Sequence, residues 1–204
     1  MAKIAVDITL LPSEEMTSKV VEINKELLKS NKPRIVLNKR GCLPHISLAM
    51  GCIKERDLQK IKVIIQEISN EFYKMKLKAN LNSHVYKAGD LISSLNVEKT
   101  PELQKLHEAV MMRLKPFFTF DATREMFLGK TVQEWDLEKT TLRWVNEYPK
   151  NNASPELFKP HITIGFGKTD KFDGVFEFEA STLILCHLGA YCTCRKILFQ
   201  TKLK

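Results

Sequence analysis

The sequence lacks the features that define several large classes of protein. No apolar run approaches the length of about eighteen residues that a membrane-spanning helix needs, and Met1 to Asp7 has no apolar core of the kind found in secretory signals. Long linkers and low-complexity segments are absent as well. These absences predict that residues 1–204 fold as one compact domain or as two small lobes that share a core, and that the protein works in the cytoplasm with no membrane partner.

Cysteine is scarce, and its pattern is wrong for a disulfide framework. The chain has an odd number of five cysteines and no C-x-x-C pair, which favours reduced thiols. Zinc is an alternative, because thiolates and imidazole are its preferred ligands. However, C-x-C on a strand lacks the usual knuckle geometry, so we predict buried strand cysteines, no metal and no cofactor. The residues concerned are Cys42, Cys52, Cys186, His187, Cys192 and Cys194.

Charge and hydrophobicity are compatible with one well-packed globular chain. The 204 residues are 44% hydrophobic and carry a net charge of +8. The positive balance favours anionic partners such as nucleic acid, but a dispersed surplus that only solubilises the surface is equally compatible with it.

Hydrophobic periodicity predicts an alternation of strands and helices. The N-terminal strand places Ile4, Val6 and Ile8 on one side, with Asp7 and Thr9 on the polar side. Three amphipathic helices follow from the i, i+3, i+4 pattern, the first capped by a serine. The helices are predicted from Ser13 to about Asn31, over 56–73 and from about Pro101 to before Pro116; the strands over 3–10, 34–37, 43–52, 75–81, 84–87, 91–97, 159–166, 174–180, 182–189 and 193–203.

Turn residues and the C-terminal third complete the predicted layout. Asn82-Ser83 and Gly89-Asp90 are typical of hairpin turns. Residues 119–157 are predicted to form a connecting arm or lid, with a helical patch around residues 141–148. The fold class is therefore α+β, with mainly antiparallel sheets and flanking helices.

A repeat relates the two halves of the chain. Leu43-Pro44-His45-Ile46-Ser47-Leu48 matches Lys159-Pro160-His161-Ile162-Thr163-Ile164, so two of only five histidines coincide. Positions i and i+2 of a strand share a face, which sets His45 beside Ser47 and His161 beside Thr163. The duplication predicts pseudo-two-fold lobes whose four polar side chains converge on one central cleft.

Two imidazoles and two hydroxyls suit phosphodiester chemistry. Imidazole can remove or donate a proton near neutral pH, so two of them can serve as base and acid on opposite sides of phosphorus. The hydroxyls of Ser47 and Thr163 can donate hydrogen bonds to the non-bridging oxygens. A lone histidine on a strand is usually an ordinary core or surface residue, and the duplication is what favours a catalytic pair.

At these residues the sequence resembles the two-histidine (2H) phosphoesterases, which include 2′-5′ RNA ligase-like proteins and 2′,3′-cyclic nucleotide phosphodiesterases. Members carry two H-x-[ST]-x motifs, the HxTx motif, matched here by His45 to Leu48 and by His161 to Ile164. The resemblance implies a bilobal α+β fold, four catalytic motif residues and no required metal. The first motif departs from the commoner threonine by having Ser47.

Other side chains are weaker candidates for the substrate site. Phe166, Tyr191 and Arg195 are predicted to contact substrate through stacking or phosphate binding, with ordinary surface or packing roles as the alternative. His84 and Tyr86 are better explained as packed or exposed, Trp135 and Trp144 as hydrophobic anchors of the arm, and His107 as a surface residue.

The sequence therefore predicts an enzyme, a metal-independent hydrolase that opens 2′,3′-cyclic phosphates or cleaves 2′-5′ linkages of RNA ends or small nucleotides. The same site run backwards gives 2′-5′ RNA ligase activity. The competing class is a non-catalytic module that binds RNA or nucleotides in the same cleft. Neither the oligomeric state nor the division of labour between the histidines follows from the sequence.

Overall fold

The alternating N-terminal segment forms a strand from Lys3 to Pro12 in the computed structural model, which describes residues 2–31, 33–85, 91–129, 138–169 and 174–204. Two predicted helix starts are confirmed by their caps. The Ser13 Oγ accepts from the Met16 N–H at 3.3 Å, and the Thr100 Oγ1 accepts from the Leu103 N–H at 3.2 Å.

Seven strands and five α-helices occur within the described residues. The strands are β1 Lys3–Pro12, β2 Ile46–Lys54, β3 Met75–Val85, β4 Leu91–Val97, β5 His161–Phe166, β6 Val175–Leu188 and β7 Cys194–Lys202. The helices are α1 Glu14–Ser30, α2 Leu58–Ser69, α3 Pro101–Leu114, α4 Glu138–Asn146 and α5 Tyr148–Asn151.

All strand pairs are antiparallel, and the strands form one sheet of order β2-β1-β6-β3-β4-β5, with β7 also paired to β6. The long β6 serves both halves of this sheet. Its C-terminal part pairs with β1 and β7, and its N-terminal part pairs with β3. We call β2, β1 and β7 with the C-terminal part of β6 the β2 half, and the remainder the β5 half.

The predicted class, α+β with antiparallel pairing and flanking helices, is confirmed. One detail of the prediction is wrong, because the stretches 174–180 and 182–189 are a single strand. Ala180 pairs with Pro12 on one side and with Met75 on the other, so the ladder runs through the predicted break. This continuity joins the two halves in one sheet.

The helices are exchanged between the halves. Helix α1 lies between β1 and β2 in sequence but packs against β5, while α3 lies between β4 and β5 and packs against β2. Each motif strand is therefore supported by the helix of the other half. Strand β1 is buried over almost its whole length.

Two local predictions are wrong for physical reasons. Residues 34–37 form no strand, because their backbone groups bond to the Asn24 side chain instead of to a neighbouring strand. The Asn24 Nδ2 donates to the Ile35 carbonyl at 3.0 Å, and the Leu37 N–H donates to the Asn24 Oδ1 at 2.9 Å. Asn82 and Ser83 form no turn, since they lie within β3 opposite Ser94 and Ser93. The predicted turn at Gly89-Asp90 lies outside the described residues.

The predicted arm contains the expected helical patch, as α4 and α5. Residues 130–137 of this arm, including Trp135, lie outside the described part of the chain. None of the described helices combines the length and the apolarity that crossing a membrane requires.

Candidate active site

The fold brings the two motifs to one cleft. His45 directly precedes β2 and His161 is the first residue of β5. These two strands are the outer strands of their halves, and they contact each other. The cleft has a volume of about 840 Å³, and its lining includes His45, Ser47, His161 and Thr163. The structure thus assembles the four residues that the repeat singled out.

Each motif strand has a β-bulge at the equivalent residue. In β2 the pairing passes from Ser47 to Ala49, which leaves Leu48 as the extra residue. In β5 it passes from Thr163 to Gly165, which leaves Ile164. A bulge re-aims the neighbouring side chains and is frequent next to active sites. The repeat seen in the sequence is therefore also a repeat of backbone geometry.

Buried side chains satisfy the carbonyl groups that the two bulges release. The Leu48 carbonyl accepts from the His107 Nδ1 at 2.8 Å and from the Tyr148 hydroxyl at 3.0 Å. The Ile164 carbonyl accepts from the Asn24 Nδ2 at 2.7 Å. His107 lies on α3 and Asn24 on α1, so each exchanged helix supplies one of these donors.

His107 corrects an expectation from the sequence. It was predicted at the surface, but it is fully buried, and its ring stacks on Phe158 with centroids 4.0 Å apart. Burial lowers the pKa of His107, and the hydrogen bond to Leu48 opposes that shift. The lowered pKa favours the neutral ring, whose Nδ1–H supports the bulge.

The two motif histidines adopt the same hydrogen-bonding state. The Nδ1 of His45 is 2.7 Å from the Leu43 carbonyl, and the Nδ1 of His161 is 2.9 Å from the Lys159 carbonyl. A carbonyl can only accept, so both Nδ1 atoms carry hydrogen. The Nε2 atoms are therefore the ones available for proton transfer.

Both catalytic candidates have lowered pKa values. Desolvation lowers the pKa of His45, with the Leu43 carbonyl opposing and His161 adding a smaller lowering. Desolvation also lowers the pKa of His161, although His161 is more exposed than His45. The Lys159 carbonyl opposes this shift, and His84 adds a smaller lowering. Both imidazoles therefore stay neutral down to a lower pH than an ordinary histidine does.

The hydroxyls of the two motifs differ in their surroundings. The Ser47 Oγ is 2.6 Å from the Asp7 Oδ2, and the same carboxyl oxygen is 3.8 Å from the His45 Nε2. Asp7 was predicted on the polar face of β1 but is fully buried, as is Thr9. The arm packs on β1, since its residues Arg124–Met126 contact the strand. Period-two alternation could not reveal that second cover.

Two of the three predicted substrate-binding residues line the cleft. Phe166 and Tyr191 make an edge contact with ring centroids 4.9 Å apart, and the Arg34 guanidinium lies 4.8 Å from the Phe166 ring. Tyr191 has a left-handed backbone, with φ of 57°. Arg195 is not among the described residues that line the cleft; its Nε donates to the Thr193 Oγ1 at 3.0 Å.

Sequence reasoning missed a polar surface beside His161. Asn82 of β3, Ser94 of β4 and Thr163 of β5 lie opposite one another across the three strands. Asn96 is the partner of His161, and all of these residues line the cleft. The alternation of polar residues along β3 and β4 was the available signal.

Other cleft residues complete the picture. His84 and Trp144 line the cleft, whereas Tyr86 lies outside the described residues. Two cations, Lys99 and Lys159, and one anion, Glu156, belong to the lining.

The cysteines lie in the interior. All five are free and buried, and desolvation raises the pKa of Cys42 to about 11 and that of Cys52 to about 12. No group of three or more histidine, cysteine, aspartate or glutamate residues is arranged to hold a metal within the part of the chain that the structure describes.

Several solved structures have the same fold. TT0787 of Thermus thermophilus superposes with a TM-score of 0.58 at 13% identity, covering 98% of each chain. A phosphoesterase gives a TM-score of 0.57 at 12% identity, and E. coli LigT complexed with 3′-AMP gives 0.54 at 12%; both cover 100% of this chain and 99% of theirs. No curated protein matches the chain in sequence.

A match to a protein-family model identifies the family of this chain. The model described as Coronavirus NS2A protein matches residues 18–203, a range that contains both motifs, both bulges, the whole of α3 and most of α1. That family is one of the 2H phosphoesterase families, as the paired motifs imply. The chain belongs to the Coronavirus NS2A protein family of the 2H phosphoesterase superfamily.

Proposed function

We propose that this protein is a metal-independent phosphoesterase that hydrolyses 2′,3′-cyclic phosphates or 2′-5′ phosphodiester linkages of RNA ends or small nucleotides. One observation carries the proposal. His45 and His161 lie at the starts of equivalent strands, share one hydrogen-bonding state and meet in one cleft, each with a hydroxyl two residues later. This is the arrangement that a paired base and acid need.

In the proposed mechanism, proton transfer runs through the two Nε2 atoms. For a 2′,3′-cyclic phosphate, the neutral imidazole removes a proton from water as the water oxygen bonds to phosphorus. The protonated imidazole gives its proton to the departing ribose oxygen as the P–O bond breaks. Ser47 and Thr163 donate hydrogen bonds to the non-bridging oxygens, where negative charge is held in the transition state. The Nδ1 contacts keep both rings oriented.

The cleft lining supports a nucleotide as substrate. Phe166 and Tyr191 offer aromatic surface for stacking, and the amides of Asn82 and Asn96 offer donors and acceptors to a base or ribose. Lys99 and Lys159 of the cleft lining supply positive charge for further phosphates. In this proposal Arg195 orients the side chain of Thr193, a residue of the cleft lining, by donating a hydrogen bond to its Oγ1. The 3′-AMP, NADP+ and ATP complexes of E. coli LigT support the same ligand class.

A product assay tests the proposal. The protein is incubated in EDTA with 2′,3′-cyclic mononucleotides, short RNAs ending in a 2′,3′-cyclic phosphate, and 2′-5′ and 3′-5′ oligonucleotides, and the products are identified by mass. We expect hydrolysis of the cyclic phosphates or of the 2′-5′ linkages, and none by a His45→Ala, His161→Ala double variant. Binding without turnover would overturn the enzyme proposal and favour the non-catalytic module.

The proposal also covers the direction of the reaction and the compartment in which the protein works. Joining of a cyclic phosphate to an RNA 5′-hydroxyl, assayed with both RNAs in excess, would assign 2′-5′ RNA ligase activity to the site. We further propose that residues 1–204 act as one bilobal unit in the cytoplasm, which supplies RNA ends and keeps the five cysteines reduced.

A further inference from the structure

The two halves of the site differ at a buried position close to the motif hydroxyl. In the β2 half, Asp7 pairs with Met50, and in the β5 half the equivalent pair is Ile92 with Phe166. Both motif strands carry the bulge and the motif hydroxyl here, although Ile8 next to Asp7 corresponds to Ser93 in the other half. The Asp7 carboxyl is therefore an addition to the β2 half that the repeat does not require.

The surroundings of Asp7 are poor for a carboxylate ion. The residue is fully buried, its Oδ1 has no hydrogen-bond partner, and its Oδ2 contacts the Ser47 hydroxyl at 2.6 Å. The groups around the carboxyl are Tyr148, Cys186, Cys192 and His45, all but Cys186 also lining the cleft, and the backbone N–H of Ala49. Burial of an ionised carboxylate with a bare oxygen is costly, whereas the acid form leaves only a neutral carbonyl oxygen unpaired.

Protonation of Asp7 reverses the hydrogen bond to Ser47. If Asp7 were ionised, the serine hydroxyl would donate to it and would have no hydrogen left for a phosphate oxygen. If Asp7 keeps its proton, the acid donates to the Ser47 Oγ, and the serine hydrogen is free to point into the cleft. The O···O separation of 2.6 Å suits either direction. Desolvation raises the pKa of Asp7 well above its ordinary value and outweighs the opposing effects of the Ser47 hydroxyl and the Ala49 N–H, which favours the second state.

We infer that Asp7 is a positioning residue that stays protonated and donates a hydrogen bond to Ser47, so that the Ser47 hydroxyl can donate to a non-bridging phosphate oxygen. The inference rests on the proposed function. Asp7 touches no substrate and keeps its proton throughout the reaction. Its effect on catalysis passes through Ser47 alone, whereas no carboxyl group in the described part of the chain is hydrogen-bonded to Thr163.

Three substitutions at Asp7 and one nearby control test the inference. An amide can donate to Ser47 as the acid does, so Asp7→Asn is expected to keep kcat within about threefold. Asp7→Leu and Asp7→Ala remove the donor and are expected to lower kcat at least about tenfold with little change in KM, up to the roughly hundredfold cost of losing one oxyanion donor. The control is Thr9→Val, which alters the other buried polar residue of β1, the ladder partner of Ser47, and is expected to be neutral.

Two further measurements separate positioning from a structural role. Asp7→Leu replaces a buried polar group by an apolar one of similar size, so its melting temperature is expected to equal or exceed that of the wild type while kcat falls. Ser47→Ala is expected to cost much less kcat in the Asp7→Leu background than in the wild type, because the two residues act as a unit. Additive losses, or a loss of kcat that tracks the loss of folding, would overturn the inference.

A spectroscopic readout stands apart from turnover. Infrared difference spectra of the wild type minus Asp7→Asn at neutral pH are expected to show the band of a protonated carboxylic acid. A carboxylate band in its place, or an Asp7→Asn variant as impaired as Asp7→Ala, would overturn the inference and favour an ionised Asp7 paired with a protonated His45. The proposed function has a different failure. If the wild type shows the acid band but turns over none of the substrates tested above, the proposed phosphoesterase activity is wrong.

Discussion

Leu48 and Ile164 occupy one structural position twice: each is the extra residue of a β-bulge, directly after the motif hydroxyl, with its carbonyl held by a side chain from the other half's helix. The bulges place each histidine and hydroxyl pair at the cleft and turn the following apolar residue into the core, where Leu48 and Ile164 are fully buried. The site therefore depends on distant residues as well as on the four motif side chains.

The histidines are expected to be essential for turnover and dispensable for folding. His45→Ala and His161→Ala should each lower kcat at least about a hundredfold, the low end for loss of general acid or base catalysis. Steady-state kinetics of variants with wild-type circular dichroism measures this. His84→Ala is the matched control, since His84 lines the same cleft outside the motifs and should cost less than about tenfold. Near wild-type kcat in a folded motif variant would remove that histidine from the mechanism.

Chelation is expected to leave activity intact. The two imidazoles supply the base and the acid, and the hydroxyls of Ser47 and Thr163 stabilise charge, so no step of the proposed mechanism uses a metal or a nucleoside triphosphate. Rates measured before and after dialysis against EDTA test this. A loss of turnover that zinc or magnesium restores would contradict the proposed mechanism.

The pH profile of kcat/KM is expected to be bell-shaped, with its maximum on the acidic side of the ordinary histidine pKa of about 6.5. One imidazole must be neutral and the other protonated, and burial lowers the pKa of both, so both limbs move to lower pH. The two apparent values belong to the coupled pair. Bound phosphate favours imidazolium, so the kcat profile should lie at higher pH than that of kcat/KM. A flat profile would exclude rate-limiting proton transfer by histidine.

The support of the β5 bulge is expected to matter for stability. Asn24→Ala leaves the Ile164 carbonyl, the Ile35 carbonyl and the Leu37 N–H without their partner and should lower the free energy of unfolding by about 2–4 kcal/mol. Denaturant titration measures the loss. Asn31→Ala is the control on the same chain segment, because the Asn31 Nδ2 donates to a single carbonyl, that of Leu27, and the residue is half-buried. Equal losses in the two variants would contradict the proposed importance of the bulge.

Salt is expected to separate RNA from mononucleotide substrates. Lys99 and Lys159 line the cleft, and each phosphate contact to a single strand adds a slope of roughly −0.7 in log affinity against log salt. KM for a short RNA ending in a 2′,3′-cyclic phosphate should therefore rise with salt more steeply than KM for the matching mononucleotide. Lys99→Ala with Lys159→Ala should flatten the RNA curve, whereas Lys60→Ala on α2 should not. Parallel curves for the two wild-type substrates would favour a small-nucleotide phosphodiesterase.

The sequence predicted what short-range pattern and duplication encode. Hydrophobic periodicity predicted the first strand and three helices, and the repeated motif predicted which four side chains meet. Contacts that depend on tertiary neighbours were beyond it. Alternation along β1 assigned Asp7 to the polar face because nothing local to that strand records the arm above it, and the spacing on α3 gave no sign that β2 would bury His107.

Turn chemistry was the other source of error. Asn82-Ser83 has turn-favouring composition, yet the hydroxyls of Ser83 and Ser93 lie 2.7 Å apart across continuous strands. Asn24 shows the reverse case, in which one amide side chain makes the hydrogen bonds to residues 35 and 37 that a neighbouring strand would otherwise make. A polar residue in a helix pattern is usually assigned to the solvent, so its role as a backbone partner emerges only from the folded chain.

The exchange of helices also bears on how such a chain could arise and how it could be divided. A half consisting of one strand pair and its helix would carry one histidine, one hydroxyl and an unsupported bulge. Two copies of that half, lending each other their helices across a two-fold axis, would rebuild both bulges and close one cleft between them. The arrangement of α1 on β5 and α3 on β2 is thus the geometry of an intertwined dimer written into a single polypeptide.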